Sequence, residues 1–259
     1  LISYAIAYFR RLRSEYGKGK ERKTEIKIFD DVDVTKVVIR NTKLFVNRIE
    51  GFVGTGMRRE EYVCDCSDID DIIVFTKSGS MMVTKVDTKT FVGKNILHVA
   101  VFKKKDSRTI YNMIYKDGKG GASYIKRFAV TSITRDKAYD LTKGKPQTAV
   151  LYFSANPNGE AEIVTVFLRH LGSIKKLKWD IDFATVSIKG RSSKGNLVTK
   201  HAVKRIELKE KGVSTLKPRK IWFDDTVQRI NVDGRGDLIG EFRGEDRLLV
   251  MTLKSKLLK

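Results

Sequence analysis

Several residue types that define common protein classes are scarce in this chain. Its 259 residues include three prolines and only two cysteines, Cys64 and Cys66, which are too close together for a zinc-ligand pattern or an unstrained disulfide. No stretch approaches the roughly 20 apolar residues of a membrane-spanning helix, and no signal peptide is recognisable. Because Cys64 and Cys66 fit neither a zinc site nor a disulfide, the sequence predicts two buried or half-buried thiols in a reducing cytoplasm. Because the chain begins with Leu1 rather than Met, we expect it to be part of a longer protein.

Catalytic patterns are scarce as well. His98, His170 and His201 have no nucleophile or acid beside them in the sequence, and an isolated His in a strand is usually structural. The acidic stretch "DIDD" (68–71) has magnesium-binding residue types but leads directly into a strand, so we interpret it as a solvated turn. No catalytic residue and no metal site is predicted.

The stretch "GRSSKGN" (190–196) has two glycines spaced as in a phosphate-binding P-loop. That motif requires Lys and then Ser or Thr after its second glycine, but Asn196 and Leu197 occupy these positions. We therefore exclude a nucleotide site and predict that residues 190–195 form a hairpin turn.

Positive charge is what the chain has in excess. Lys and Arg number 52 against 31 Asp and Glu, a formal net charge of +21. Residues 103–145 carry 12 bases and 4 acids, and residues 169–220 carry 15 and 4, whereas residues 60–75 carry six acids and no base. Such a field attracts a polyanion, either nucleic acid or an anionic membrane.

Two segments with different patterns follow each other. In residues 1–16, apolar side chains recur every three or four positions, which predicts an amphipathic helix ending near Gly17. From residue 24, runs rich in Val, Ile, Phe, Tyr and Thr form six hairpin-like units, with turn centres near residues 42, 79, 118, 158, 193 and 244. Four of the five spacings are 35 to 40 residues, which is typical of blades in propeller-like folds. Two β-sandwiches are the alternative.

Several sequence segments resemble those of one family, the A subunits of bacterial type IIA topoisomerases. "YFRRLRSEYGKGKERKTEI" (8–26) is similar to the helix that closes the exit gate and the segment that follows it. "DDIIVFTKSGSMMVTKV" (70–86) resembles the blade hairpins of the family's C-terminal domain. "VGKN" (92–95) and "GRSSKGN" (190–196) resemble the Gly-basic connections after such hairpins. The resemblance runs over nearly the whole sequence.

The resemblance implies an all-β, propeller-like β-pinwheel of about six blades over residues 24–259. Residues 1–23 would be the helical end of the breakage-and-reunion region. Gyrase A subunits carry a Gln-Arg-Arg-Gly-Gly-Lys-Gly box just after their first hairpin. The corresponding stretch here, "EGFVGTGMRR" (50–59), lacks that box, and "KDGKGGAS" (116–123) lies inside a later hairpin. The topoisomerase IV branch of the family is therefore favoured over gyrase.

The resemblance also carries expectations about activity and partners. The family's nucleophilic tyrosine lies far upstream, and none of the nine tyrosines here has a matching context, so this segment should be inactive alone. It should hold no cofactor, with ATP and Mg²⁺ used by the parent enzyme through its B subunit. The parent chain is expected in an A2B2 complex in the cytoplasm, associated with the nucleoid and not with a membrane.

Binding by charge is the chemistry that remains, so we expect double-stranded DNA to be bound and bent through its phosphate backbone. The candidate DNA-binding residues are glycine-flanked or clustered bases of the two basic zones: Lys119, Lys126, Arg127, Lys143, Lys145, Arg191, Lys194 and Lys200. The alternative is a propeller-like protein-interaction scaffold whose basic surface meets an acidic partner.

Overall fold

The structure, a computed structural model, describes residues 2–17, 42–170, 172 and 174–243. The chain divides into two compact units, residues 1–39 and 40–259. The predicted boundary between residues 23 and 24 lies outside the described residues. Within the described part of the chain, no helix has the length and apolar character needed to cross a membrane.

In the described part of the first unit, residues 2–17, the chain forms the helix α1 (Ile2–Tyr16), as the apolar periodicity predicts. It ends where the amide of Gly17 donates to the carbonyl of Arg13 over 3.0 Å. None of the 15 side chains of α1 is buried, and Ile2 and Phe9 are among its exposed apolar residues.

We call the second unit, residues 40–259, the β-unit. Deleting residues 1–22 is expected to leave its melting temperature nearly unchanged, because no side chain of α1 is buried. Thermal unfolding of the two chains, followed by circular dichroism of the sheet signal, checks this. A fall of more than about 4 °C, which corresponds to roughly 1 kcal/mol in a domain of this size, would show that the helix stabilises the β-unit.

The second unit is built from short strands. In its first half these are β1 (Thr42–Asn47), β2 (Phe52–Gly54), β3 (Glu61–Cys66), β4 (Asp71–Thr76), β5 (Ser80–Lys85), β6 (Thr90–Phe91), β7 (Ile96–Phe102), β8 (Ile110–Lys116) and β9 (Ser123–Ala129). In its second half they are β10 (Ala138–Asp140), β11 (Ala149–Asn156), β12 (Ile163–Leu168), β13 (Lys178–Asp182), β14 (Ile188–Lys189), β15 (Asn196–Thr199), β16 (Val203–Glu210), β17 (Arg219–Asp224), β18 (Arg229–Asn231) and β19 (Asp237–Phe242). A 3₁₀ turn, Phe183–Thr185, follows β13.

The described strands form five sheets, whose central strands follow one another along the chain. The first has the order β3-β1-β2-β6 and the second β10-β5-β4-β7. The third has the order β11-β8-β9, with both β14 and β15 pairing with β9. The fourth is β13-β12-β16 and the fifth β18-β17-β19. The all-β class and the preceding helix are confirmed, and this succession of small blades favours the pinwheel prediction over two sandwiches.

Neighbouring sheets share their cores, and this explains strands that are apolar throughout. All six residues of β4 are buried. Ile72 and Val74 pack into a cluster with residues of the first sheet, whereas Ile73 and Phe75 pack into a cluster with residues of the third. Because side chains alternate across a strand, a sheet covered on both faces buries every position.

The local hairpins are predicted correctly and the non-local pairings are not. β4 pairs with β5 around Gly79, and β8 pairs with β9 around Gly118, as predicted. The units centred near residues 158 and 193 are not hairpins, because β11 and β12 join different sheets, and β14 and β15 both pair with β9. Thr42, a predicted turn centre, begins β1, and the turn near residue 244 lies outside the described residues.

The two thiols lie in β3, where Cys66 is buried and Cys64 is half-buried, as predicted. The acidic stretch that follows is only partly a solvated turn. Asp70 accepts a hydrogen bond from the amide of Ser67, but Asp71 is buried and pairs with Arg135 over 2.8 Å. In the part of the chain that the structure describes, no group of three or more His, Cys, Asp or Glu side chains could hold a metal ion.

Candidate nucleic-acid interface

Two of the predicted DNA-binding residues, Lys126 and Arg127, lie inside the protein. They are adjacent in β9, and each side chain is 1% exposed. The sequence suggests surface bases here, but β9 is an inner strand of a sheet covered on both faces, so alternation points the two side chains into two different inter-sheet cores. Neither residue is accessible to a DNA phosphate, which corrects the prediction for both.

The ammonium of Lys126 is surrounded by carbonyl oxygens. Its Nζ donates to the carbonyls of Leu141 at 2.6 Å, Arg191 at 2.5 Å and Ser193 at 2.9 Å. The same atom lies 4.8 Å from the centre of the Phe128 ring. A buried charge is tolerated only when hydrogen bonds replace its hydration, and these three acceptors do so.

Arg127 connects the third sheet to the loops beside the fourth. Its Nε donates to the side-chain oxygen of Asn112, the residue directly opposite on β8, over 2.9 Å. Its Nη2 donates to the carbonyl of Gly159 over 2.9 Å and to the hydroxyl of Thr215 over 3.0 Å. Burial lowers the pKa of Arg127, against the field of Glu162.

Three loops meet around these strands and carry most of the remaining predicted bases. We call residues 117–121, 141–148 and 190–195 the basic loop cluster. Lys126 joins the second loop to the third, and the amide of Gly118 in the first donates to Thr148 Oγ1 in the second over 3.0 Å. The five bases of the cluster are Lys119, Lys143, Lys145, Arg191 and Lys194. The structure thus brings together five of the eight predicted residues.

The loop at residues 190–195 lies directly on the backbone of β9. Gly195 has φ +88°, and a Cβ there would lie 2.3 Å from the carbonyl oxygen of Ile125. Only glycine fits this approach, since both its backbone conformation and the missing side chain are required. The hydroxyl of Tyr115 also donates to the carbonyl of Lys194 over 2.7 Å.

The two bases of this loop lie over aromatic rings. The Arg191 guanidinium carbon is 4.4 Å from the centre of the Tyr139 ring, and Lys194 Nζ is 4.3 Å from that of Tyr124. Arg191 also donates to the carbonyl of Ser132. A hydrogen bond with Tyr124 raises the pKa of Lys194. Both side chains are half-buried, so each keeps an accessible side while its position is fixed.

The other predicted bases are more exposed. Lys119, Lys143, Lys145 and Lys200 all lie at the surface. Lys145 forms an ion pair with the buried carboxylate of Asp117 over 3.1 Å, so part of its charge is neutralised within the protein. Lys200 follows β15, whose last residue, Thr199, pairs with Ser123 at the start of β9, so Lys200 is not a member of the three loops but lies beside the end of the 117–121 loop.

A second basic surface was missed by sequence reasoning. A groove of about 440 Å³ is lined by Lys103, Lys104, Lys105, Arg108 and Arg219, together with Asp106, Ser107, Thr109, Pro157 and Asn158. The carboxylate of Asp106 is occupied by Thr109, which donates its hydroxyl over 2.7 Å. The run "KKK" at 103–105 was a usable signal, but only the fold brings Arg219 beside it.

These surfaces can do one kind of chemistry. Accessible Lys and Arg side chains, fixed on rigid loops, can bind phosphate oxygens through charge-assisted hydrogen bonds. The described residues present no helix that could enter a DNA groove within the β-unit. Contacts of this type position a polyanion without reading its sequence.

Comparisons with known proteins relate this chain to bacterial topoisomerases. The family model described as "Topoisomerase C-terminal domain, Bacteroidota" matches residues 43–211. The A subunit of DNA topoisomerase 4 from Borreliella burgdorferi is 28% identical over 207 residues, which cover 80% of this chain and 31% of that protein. A crystal structure of the C-terminal domain of DNA topoisomerase IV matches with a TM-score of 0.45 and 11% identity, over 70% of this chain and 64% of that one.

The match to the family model covers more than half of the chain, so the protein belongs to the topoisomerase C-terminal domain family. The resemblance to the C-terminal domain of topoisomerase A subunits is thereby confirmed. The chain spans about a third of the length of the curated relative that it matches, the topoisomerase 4 protein of Borreliella burgdorferi.

Proposed function

We propose that this segment is a non-catalytic domain that binds and bends duplex DNA through the phosphate backbone, for a type IIA topoisomerase. The observation that carries the proposal is the basic loop cluster, in which separate loops are fixed together so that five bases lie on one region of the third sheet. Membership of the family supports the same role. The bound duplex would be the segment that the parent enzyme transports.

The parent enzyme would supply what this segment lacks. We infer that the full chain works in an A2B2 complex with an ATPase B subunit, in the cytoplasm and in association with the nucleoid. ATP and Mg²⁺ would act there, and this domain would contribute only binding energy. Contacts between the basic surface and the phosphates must offset the cost of bending, which is on the order of 1 to 6 kcal/mol for 20 to 30 base pairs.

A duplex-binding titration tests the proposal. The chain should bind several unrelated duplexes with similar affinity, should not cleave them, and should lose affinity steeply as salt is raised, because each neutralised phosphate releases counterions. The absence of duplex binding at low salt would exclude the proposal. Stoichiometric capture of one acidic protein, together with that absence, would favour the protein-interaction scaffold.

Replacing both Arg191 and Lys194 with Ala is expected to weaken binding to every duplex alike. The slope of log affinity against log salt should shrink by about two units, one for each lost phosphate contact. A small loss of stability should accompany this, because both side chains pack on tyrosine rings. The matched control is the Lys175→Ala, Lys176→Ala pair, which removes equal charge from positions outside the cluster. An unchanged slope, or weaker binding to a single sequence, would contradict phosphate contact by this loop.

A further inference from the structure

Lys126 is buried and cannot contact DNA directly, but its position suggests an indirect role in DNA binding. Its ammonium does not reach the surface, yet it binds carbonyls from two of the three loops in the basic loop cluster. Two of those carbonyls belong to Arg191 and Ser193, which lie within the four-residue stretch that ends at Lys194. The carbonyl of Lys194 itself is held by Tyr115.

This arrangement fixes which way the loop faces. Because the carbonyls of residues 191, 193 and 194 are bound from within, the loop cannot rotate them outward without breaking hydrogen bonds to buried groups. The cost of leaving a buried charge without acceptors is several times that of an ordinary hydrogen bond. The side chains of Arg191 and Lys194 are thereby held against Tyr139 and Tyr124.

We propose that Lys126 is a positioning residue for DNA binding: its buried ammonium ties the 141–148 loop to the 190–195 loop and holds their bases in one arrangement suited to successive phosphates. This rests on the proposed function in one respect only, the identity of the ligand. The ordering of the two loops by Lys126 concerns the free protein and does not depend on the ligand.

The protonation of Lys126 gives the arrangement a pH dependence. Burial, and then the charge of Lys143, lower the pKa of Lys126 to about 8. The ammonium and its three hydrogen bonds are therefore present below pH 8, and the charge is lost as the pH rises through that value. The charged and titratable groups in the surrounding cluster include Asp140, Lys143, Arg191, Lys194, Lys145 with Asp117, Tyr124 and Tyr139. They also include Tyr115, whose pKa burial raises to about 12.

The neighbouring residue provides a matched control. Lys126→Met and Arg127→Met each remove one fully buried cation from the same strand, but Arg127 bonds to Asn112, Gly159 and Thr215 and not to the cluster loops. Lys126→Arg retains a charge that does not titrate in this range. The three variants therefore distinguish the effect of losing the hydrogen bonds between Lys126 and the two loops from the effect of losing a buried charge.

The first measurement is amide hydrogen-exchange protection of residues 190–195 in the free protein. Lys126→Met should lose protection there by about tenfold or more, corresponding to a hydrogen-bonding loss of about 1.4 kcal/mol or more. Arg127→Met should not lose it selectively in this loop. Protection in Lys126→Met equal to that of the unchanged chain would overturn the proposal, whether or not DNA is bound.

The second measurement is duplex affinity between pH 7 and pH 9 at constant salt. The unchanged chain should weaken with a midpoint near pH 8, whereas Lys126→Arg should show no such step. Should Lys126→Met fail to fold, this comparison alone decides, because both chains in it keep a basic residue at position 126. Identical profiles would overturn the proposal. If the unchanged chain binds no duplex at any pH, the proposed function fails, and loop protection measured over the same pH range decides the role of Lys126.

Discussion

Arg127→Met should be strongly destabilising for this domain. It removes hydrogen bonds to the Asn112 side-chain oxygen, the Gly159 carbonyl and the Thr215 hydroxyl. The fully buried Asn112 oxygen loses its guanidinium donor, whereas Gly159 and Thr215 stay bonded to each other. A buried polar group that loses its partner costs about 1 to 3 kcal/mol, and a hydrogen bond from a charged group contributes about 1.5 to 3 kcal/mol, so we expect a loss of about 3 kcal/mol. Chemical denaturation with urea measures this as a shift of the midpoint.

The control for Arg127→Met is Arg169→Met, which makes the same chemical change at an exposed position. Its free energy of unfolding should change by less than about 0.5 kcal/mol. If the two variants lose the same stability, the hydrogen bonds of Arg127 do not hold the third and fourth sheets together. A domain of this kind typically has about 5 to 15 kcal/mol in total, so the Arg127 variant should still fold.

The domain should also lose stability in mild acid through His98. This imidazole lies among the rings of Phe75, Tyr111 and Phe153, and burial, with the charge of Arg48, lowers its pKa to about 4 from 6.5. The unfolded chain takes up a proton below pH 6.5, whereas the folded protein does not until about pH 4. The free energy of unfolding should therefore fall across that interval, by at most about 3 kcal/mol.

Two observations check the role of His98. The His98 imidazole resonance should keep its neutral chemical shift down to about pH 5 in a titration followed by NMR. The stability advantage of a His98→Phe variant over the unchanged chain should also grow as the pH falls from 6.5 to about 4, because phenylalanine takes up no proton. A His98 resonance that titrates near its ordinary pKa of 6.5 would contradict its burial among the rings.

The sequence predicts pairings between strands that are adjacent in the chain better than pairings between strands that are distant in the chain. The turns at Gly79 and Gly118 are predicted correctly because both glycines have positive φ, +85° and +80°, and the paired strands are adjacent in the chain. The strands around residues 158 and 193 have the same composition, but they pair with strands that are distant in sequence. Strand propensity does not specify partners, so these hairpins were predicted wrongly.

The same limit explains the errors at the site. Lys126 and Arg127 were assigned to DNA because they are adjacent bases in a basic zone, without regard to the sheet that contains them. The apolar run of β8, with Tyr111, Met113 and Ile114 on both faces, indicated a sheet covered on both sides. The exposed bases were easier to predict, since glycine-rich loops are surface features, but their convergence on one region depends on the packing of three separate loops.

The measurement that tests the account most directly compares two variants of equal charge. One replaces Lys119, Lys143, Arg191 and Lys194 of the basic loop cluster with Gln, leaving Lys145 in place because it pairs with buried Asp117. The other replaces four lysines elsewhere in the β-unit with Gln, namely Lys175, Lys176, Lys178 and Lys204. Duplex affinity is measured for both across a range of salt concentrations.

If the cluster holds the DNA, its variant should lose about three to four units of salt slope and bind every duplex more weakly, because about 0.9 unit is lost per phosphate contact. The second variant should keep nearly the slope of the unchanged chain. Equal losses in the two variants would show that affinity follows net charge alone, and would contradict a DNA-binding site built from these three loops.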